Sequence, residues 1–384
     1  MTEEISQEQV NGFRMDRQYL TKRASRTELA SVVEQVCGIQ AQMPAAAQLQ
    51  LWARVDELKP TDINKALWDS KSLLRIWCMR GTAHYISTRE FPAYLETIIK
   101  PRIPRHKEWL VKRGIREFGE IAKIDPVQHD FEAINQTVLN ALTQGPATRD
   151  DMADIVEKEL GPEVRPWVDT GYYIVTKLLA YEGKVCFGPD LDGKSTLVRT
   201  DKWLPKQPNV TQERVENTIL TNYLKCYGPA TPQDFSTWSG LKMTTVTPIW
   251  ERISDQLVEI TLNEKPAWIL KKDLSLLHKT KKGTRPVRLL PHFDIFLLGH
   301  KDKYHIVDET HYKQVFKKAA WIAPVLLCEG QAVGTWKQKR TGKKVTVTAE
   351  PFDNLTKSQI DDIEAETQRL GDYFELIPEM KVIS

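Results

Sequence analysis

Apolar residues recur at helical spacing through residues 16–58. Leu29, Val32, Val33 and Val36 form one stripe, Pro44 opens a second run from Ala45 to Leu58, and a third helix over 61–70 starts from a Thr or Asp cap. The period then changes. Leu73 to Trp77 and Ala83 to Ile86 are rich in apolar and β-branched residues around a Gly81-Thr82 break, which predicts a hairpin. Helices followed by a hairpin is the order of a winged helix, and it returns twice. One helical face, Ile134, Val138, Leu139 and Leu142, ends at Gly145-Pro146-Ala147-Thr148; another, Val215, Ile219, Leu220 and Tyr223, ends at Gly228-Pro229-Ala230-Thr231. Each Gly-Pro-Ala-Thr stops one helix and caps the next. A helix over 168–182 and a wing from 184–188 and 195–198 complete one copy; a helix over 244–255 and a wing from 257–260 and 266–270 complete the other.

Beyond residue 270 the pattern becomes strand-like at 287–291, 321–327, 332–337 and 344–349, with Gln338 to Lys343 as a basic hairpin tip and a final helix over 355–373. The expected fold is mainly helical α+β. It comprises winged-helix units at 1–125, 126–208 and 209–275, followed by a β-rich domain at 276–384.

Composition narrows this picture. A chain of 384 residues with 41% hydrophobic and 27% charged content suits several globular cores. No apolar run approaches the roughly 20 residues that span a bilayer, and the acidic start Met1-Thr2-Glu3-Glu4 has no apolar segment behind it, so a cytoplasmic protein without membrane contact is expected. Cys37, Cys78, Cys186, Cys226 and Cys328 are scattered, with no C-x-x-C pair, and read as reduced core residues. His84, His292, His300 and His305 lack metal-ligand spacing and suit structural or phosphate-contact roles. The net charge is only +3, yet residues 271–344 hold 17 Lys and Arg against 6 Asp and Glu. That segregation suits a polyanion or a solvated rim; the candidate phosphate contacts are Lys279, Lys281, Lys282, Arg285, Lys337, Lys339, Arg340, Lys343 and Lys344.

The candidate chemistry lies at Gln40-Ala41-Gln42, ahead of Pro44. Proline biases the preceding backbone toward extended geometry, where side chains at i and i+2 point the same way. The two amides would then serve one site; the alternative is two solvated amides at a helix end. Gln48-Leu49-Gln50 repeats the pattern inside an expected helix, where i and i+2 diverge, and is read as a decoy. An amide oxygen can hold a water and face a developing cation, although it is a far weaker base than a carboxylate. That suffices only where the leaving group is already activated and needs no protonation. Asp294 can orient such a group or anchor a turn.

Gly38-Ile39-Gln40-Ala41-Gln42, Trp77 to His84, Leu289 to Asp302 and Gly334-Thr335-Trp336 together resemble the AlkZ/YcaQ-like winged-helix DNA glycosylases, in that family's order along nearly the whole chain. The resemblance implies three tandem winged helices in a C-shaped body, with a Q-Φ-Q motif here on Gln40 and Gln42 as catalytic residues. No cofactor or metal is expected, the expected partner is duplex DNA with alkylated or crosslinked purines, and a body with three DNA-binding units has no need of a dimer. Arg80, His84, His292 and Asp294 fall in the matching stretches as supporting residues. The reading is a monofunctional glycosylase for N7-alkylated purines that also unhooks interstrand crosslinks; the alternative is a non-enzymatic winged-helix regulator or damage sensor.

Overall fold

The two Gly-Pro-Ala-Thr copies end in the same helix cap, although the Gly-Pro bond is cis in the second, Gly228-Pro229, and not in the first. In each, the threonine caps a helix and exchanges hydrogen bonds with an aspartate three residues on. The Asp151 amide donates to Thr148 Oγ1 (3.2 Å) and the Thr148 amide to Asp151 Oδ2 (2.8 Å); Thr231 and Asp234 repeat this at 3.2 and 2.9 Å. The computed structural model describes residues 5–118, 131–169, 175–206, 211–281, 283 and 285–383. The chain forms two compact units, one from Met1–Ala66 with Asn217–Ser384 and the other Leu67–Glu216.

The first unit begins with helix α1 (Gln7–Arg17), closed at its start by a Ser6–Gln9 capping box. This helix lies outside the expected run, which starts at residue 16. Helix α2 (Leu29–Gln35), the short strand β1 (Ile39–Gln40) and helix α3 (Pro44–Trp52) follow.

The second unit opens with the expected hairpin, β2 (Leu73–Trp77) and β3 (Ala83–Ser87), paired antiparallel from Leu73↔Ser87 to Trp77↔Ala83. Then come α4 (Phe131–Ala141), β4 (Ala147–Thr148), α5 (Arg149–Leu160), α6 (Thr176–Tyr181), β5 (Val185–Phe187) and β6 (Thr196–Arg199). The part of the expected 168–182 helix at 170–174 lies outside the described residues. The two wings do not stand apart. They share a sheet in which β3, β2, β5, β6 and β4 are successive neighbours, joined across the repeat by Arg75↔Phe187. The seam is packed: Trp77 and Phe187 rings lie 4.3 Å apart, and the Arg75 guanidinium sits 4.2 Å from the Phe187 ring centre.

The third repeat is α7 (Gln212–Tyr227), α8 (Pro232–Ser239), α9 (Met243–Arg252) and the hairpin β7 (Leu257–Leu262) and β8 (Lys265–Leu270). Tyr223, Tyr227, Phe235 and Trp238 form its aromatic core. Within the first unit, α1 packs Val10 and Phe13 against Ile260, Ala267 and Ile269 of the hairpin and Leu277 of α10 (Lys271–Lys279). Arg14 of α1 also donates to the Tyr227 and Pro229 carbonyls.

The C-terminal sheet runs in the order β13-β12-β11-β10-β9: β9 (Arg288–Leu290), β10 (Val325–Cys328), β11 (Gln331–Thr341) and β12 (Lys344–Pro351) are antiparallel neighbours. Helix α11 (Lys357–Phe374) then connects β12 to its parallel partner β13 (Ile377–Val382). One buried carboxylate, Glu366 of α11, faces Arg23 (2.5 Å), Arg288 (3.5 Å) and Arg369 (3.6 Å), tying helix, sheet and N-terminal segment together. The fold is therefore mainly helical α+β with a C-terminal sheet domain. The hairpin tip is shorter than expected. β11 runs to Thr341, which pairs with Lys344, so the ladder is closed by Gly342 and Lys343 alone, with Gly342 at φ 57.

No disulfide joins the five cysteines, and Cys37, Cys78, Cys186 and Cys226 are buried. Among the described residues no helix is long and apolar enough to cross a membrane.

Candidate active site

Helix α2 ends in a reversal that sets up the glutamine pair. The Cys37 amide donates to the Glu34 carbonyl (3.1 Å) and the Gly38 amide to the Val33 carbonyl (2.9 Å), with Cys37 and Gly38 at φ 58 and 86. Gly38 takes that conformation without the cost a side chain would carry. Tyr227 Oη donates to the Val36 carbonyl (3.2 Å), holding this helix end against the third repeat. Ile39 and Gln40 are extended, the chain bends at Gln42 and Met43, and Pro44 starts α3.

The two amides occupy different environments. Gln40 is 8% exposed and Ala41 fully buried, whereas Gln42 is exposed. The motif thus has an inner and an outer glutamine. Gln48-Leu49-Gln50 lies inside α3, as its helical pattern implies, but its second amide is not idle. Gln50, fully buried, donates through Nε2 to the Gln40 carbonyl (3.1 Å).

Behind Gln50 lies a buried ion pair. Arg54 Nη1 donates to the Gln50 carbonyl (2.9 Å) and to Asp294 Oδ2 (2.8 Å), while Nη2 donates to Asp294 Oδ1 (2.7 Å); both side chains are fully buried. Burial alone would favour a neutral guanidinium, but the Asp294 carboxylate overrides it and raises the Arg54 pKa. Asp294 also accepts from the Phe296 amide (2.9 Å), capping the turn Ile295–Leu298. Asp294 therefore anchors a turn and holds a cation at once. His292 is half-buried, with Nδ1 2.9 Å from the Ile322 carbonyl and its ring against Trp321.

Arg80 and His84 belong to the second unit. Arg80, half-buried, lies in the turn Met79–Gly81 at φ 54. His84 is buried on β3, with Nδ1 2.9 Å from the Thr82 carbonyl. Burial first, and then the Arg80 charge, lower its pKa to about 3, so the ring is neutral and Nδ1–H is the donor. Sequence reasoning passed over Lys177 in the same unit. Its Nζ donates to the Gly81 carbonyl (2.7 Å), and burial, reinforced by Arg102, lowers its pKa to about 8.

The basic candidates separate as well. Lys279, Lys281, Lys339, Arg340 and Lys343 are exposed. Lys337 pairs with Glu350 (2.6 Å) and Lys344 with Glu379. Arg285 is turned inward: it lies over Gly12, pairs with Asp16 at 3.7 Å, and its side chain is 9% exposed. Lys282 lies outside the described residues. Lys337, Lys339 and Arg340 stand on strand β11, not in a loop. Among the described residues, no three His, Cys, Asp or Glu side chains gather as a metal ion would need.

Helices followed by antiparallel hairpins thus recur along the chain, in the order that winged helices follow. The profile of the DNA glycosylase AlkZ-like family matches residues 33–373, and the chain belongs to that family. It is thus an enzyme acting on N-glycosyl bonds. The chain is similar to an interstrand DNA cross-link repair glycosylase from Streptomyces sahachiroi, with 28% identity over 372 residues, covering 94% of this chain and 95% of the relative. The solved structure of Streptomyces sahachiroi DNA glycosylase AlkZ matches with a TM-score of 0.81 at 25% identity, covering 99% of this chain and all of the other.

Proposed function

We propose that this protein is a monofunctional DNA glycosylase that hydrolyses the N-glycosidic bond of N7-alkylated purines in duplex DNA and unhooks interstrand crosslinks built on them. The observation that carries the reading is the division of Gln40-Ala41-Gln42 into a buried amide on a held backbone and an exposed amide beside it. In the reaction the C1′–N9 bond breaks and its electron pair flows into the purine, cancelling the N7 charge. Water adds to the sugar C1′ and gives up a proton to solvent. Gln42 holds the water through its side-chain amide oxygen, and Gln40 turns its side-chain amide dipole toward the cationic sugar. Neither step needs a strong base, because alkylation has already made the purine a good leaving group. The crosslink-repair name of the Streptomyces relative supports the wider substrate range.

The three repeats, 1–125, 126–208 and 209–275, act as DNA-holding units followed by the 276–384 domain. Lys279, Lys281, Lys339, Arg340 and Lys343 supply phosphate contacts. The protein works as a monomer on cytoplasmic, nucleoid DNA. The test is base release from a duplex carrying 7-methylguanine and from a nitrogen-mustard crosslink. Release of free base, with an unbroken abasic strand, is expected; normal duplex binding with no released base would end the proposal.

A further inference from the structure

The amide of Gln50 has one hydrogen bond among the described residues, and it goes to the backbone of the proposed catalytic pair. Nε2 donates to the Gln40 carbonyl at 3.1 Å, while the buried Oε1 has no partner. The reverse orientation would set two acceptors face to face, so the hydrogen-bond network assigns the amide's direction. A buried oxygen without a partner carries an uncompensated desolvation cost that a Leu or Met at this site would avoid. Packing therefore does not account for an amide here; the bond to Gln40 does.

Gln50 is itself held. Its carbonyl accepts from Arg54 Nη1 (2.9 Å) at the end of α3, and Arg54 is locked by the two-point pair with Asp294. Gln18 Oε1 accepts a further, longer bond from Arg54 Nη2 (3.4 Å). The line from Asp294 through Arg54 and Gln50 to the Gln40 carbonyl lies within one compact unit.

We infer that Gln50 is a positioning residue for excision: its side-chain amide fixes the backbone of Gln40, and the Arg54–Asp294 pair fixes Gln50. The role rests on the reading of Gln40 as catalytic. A displaced backbone would move the Gln40 amide away from the sugar without touching the DNA-holding surface, so the loss falls on the chemical step.

The test is single-turnover excision by Gln50→Met, which keeps the volume and removes the donor, with Gln48→Met on the same helix as control. Gln50→Met is expected to lower the excision rate about tenfold, with duplex Kd within about twofold of native, and Gln48→Met to leave both unchanged. In a Gln40→Ala background, Gln50→Met is expected to cause no further loss. Full excision by Gln50→Met alongside a lowered melting temperature would overturn the inference, as would an equal loss in both backgrounds. Should Gln50→Met fail to fold, Gln50→Glu decides, because its carboxyl donates only while protonated. Its rate per folded molecule, relative to native, should climb as pH falls, and a flat ratio would overturn the role. Native excision by Gln40→Ala removes the catalytic reading first, and the positioning role falls with it.

Discussion

Arg54 and Asp294, 240 residues apart in the chain, meet as a two-point ion pair at 2.7 and 2.8 Å with no exposed surface on either side chain. Removing one partner strands a buried charge, which typically costs about 3–5 kcal/mol. Asp294→Ala should therefore show a destabilisation of that order by urea unfolding. The double variant Arg54→Met with Asp294→Leu should recover much of it. A double variant no more stable than the single one would show that the pair's worth lies in something other than charge compensation.

Gln40→Ala and Gln42→Ala should each lower excision of 7-methylguanine about 100-fold with unchanged melting. Gln48→Ala should change little. Equal losses from all three would place the catalytic pair elsewhere.

The exposed cations on β11 and its turn should act through phosphate. Replacing Lys339, Arg340 and Lys343 with alanine should weaken duplex binding similarly for all sequences, and flatten its log–log salt dependence by about 0.9 for each phosphate no longer neutralised. An unaltered slope removes them from the DNA surface.

Acid should unfold the protein partly through its histidines. An unfolded chain takes up the His84 proton near pH 6.5, whereas the folded protein resists it until about 3. Protons therefore favour the unfolded state, so this contribution is fully present above about 6.5 and is lost as pH falls toward 3. His300 and His305, lowered well below 6.5 by burial, act in the same direction. Melting temperature should drop across this window, and less steeply in His84→Asn, which keeps a donor for Thr82. Identical slopes would exclude His84 as a contributor.

Lys177 offers a sharp check on hydrolysis. With its pKa lowered to about 8, it is the type of amine that attacks a sugar carbon in lyase-type glycosylases. Borohydride added during turnover should trap no protein–DNA adduct. A trapped adduct that disappears in Lys177→Met would replace water with an amine as the nucleophile.

What could be read from the chain was local. The threonine caps and the hairpins each depend on residues within a few positions of one another, whereas the strand stops at Gln40 and the glutamine pair parts into a buried and an exposed side chain. Helix α1 carried a local signal too, Ser6 and Gln9 in capping-box spacing, yet its polar composition hides the apolar stripe of Val10 and Phe13. The Arg54–Asp294 pair, the inward turn of Arg285 and the four-residue cluster at Glu366 depend on distant segments meeting, and no spacing announces them. Gln50 shows the boundary most clearly. Helical geometry correctly separates it from Gln48, but says nothing of the carbonyl that its amide would find opposite.

The sheet shared by the first two wings bears on how the repeats can vary. Because β2 and β5 are neighbours, the interval between those modules is one strand step, about 4.8 Å, set by a hydrogen-bond ladder and independent of connector length. A single pair, Arg75 with Phe187, carries that step. Substitutions at Arg75 or Phe187 would therefore loosen the packing of the seam between the first two wings and leave their spacing in place.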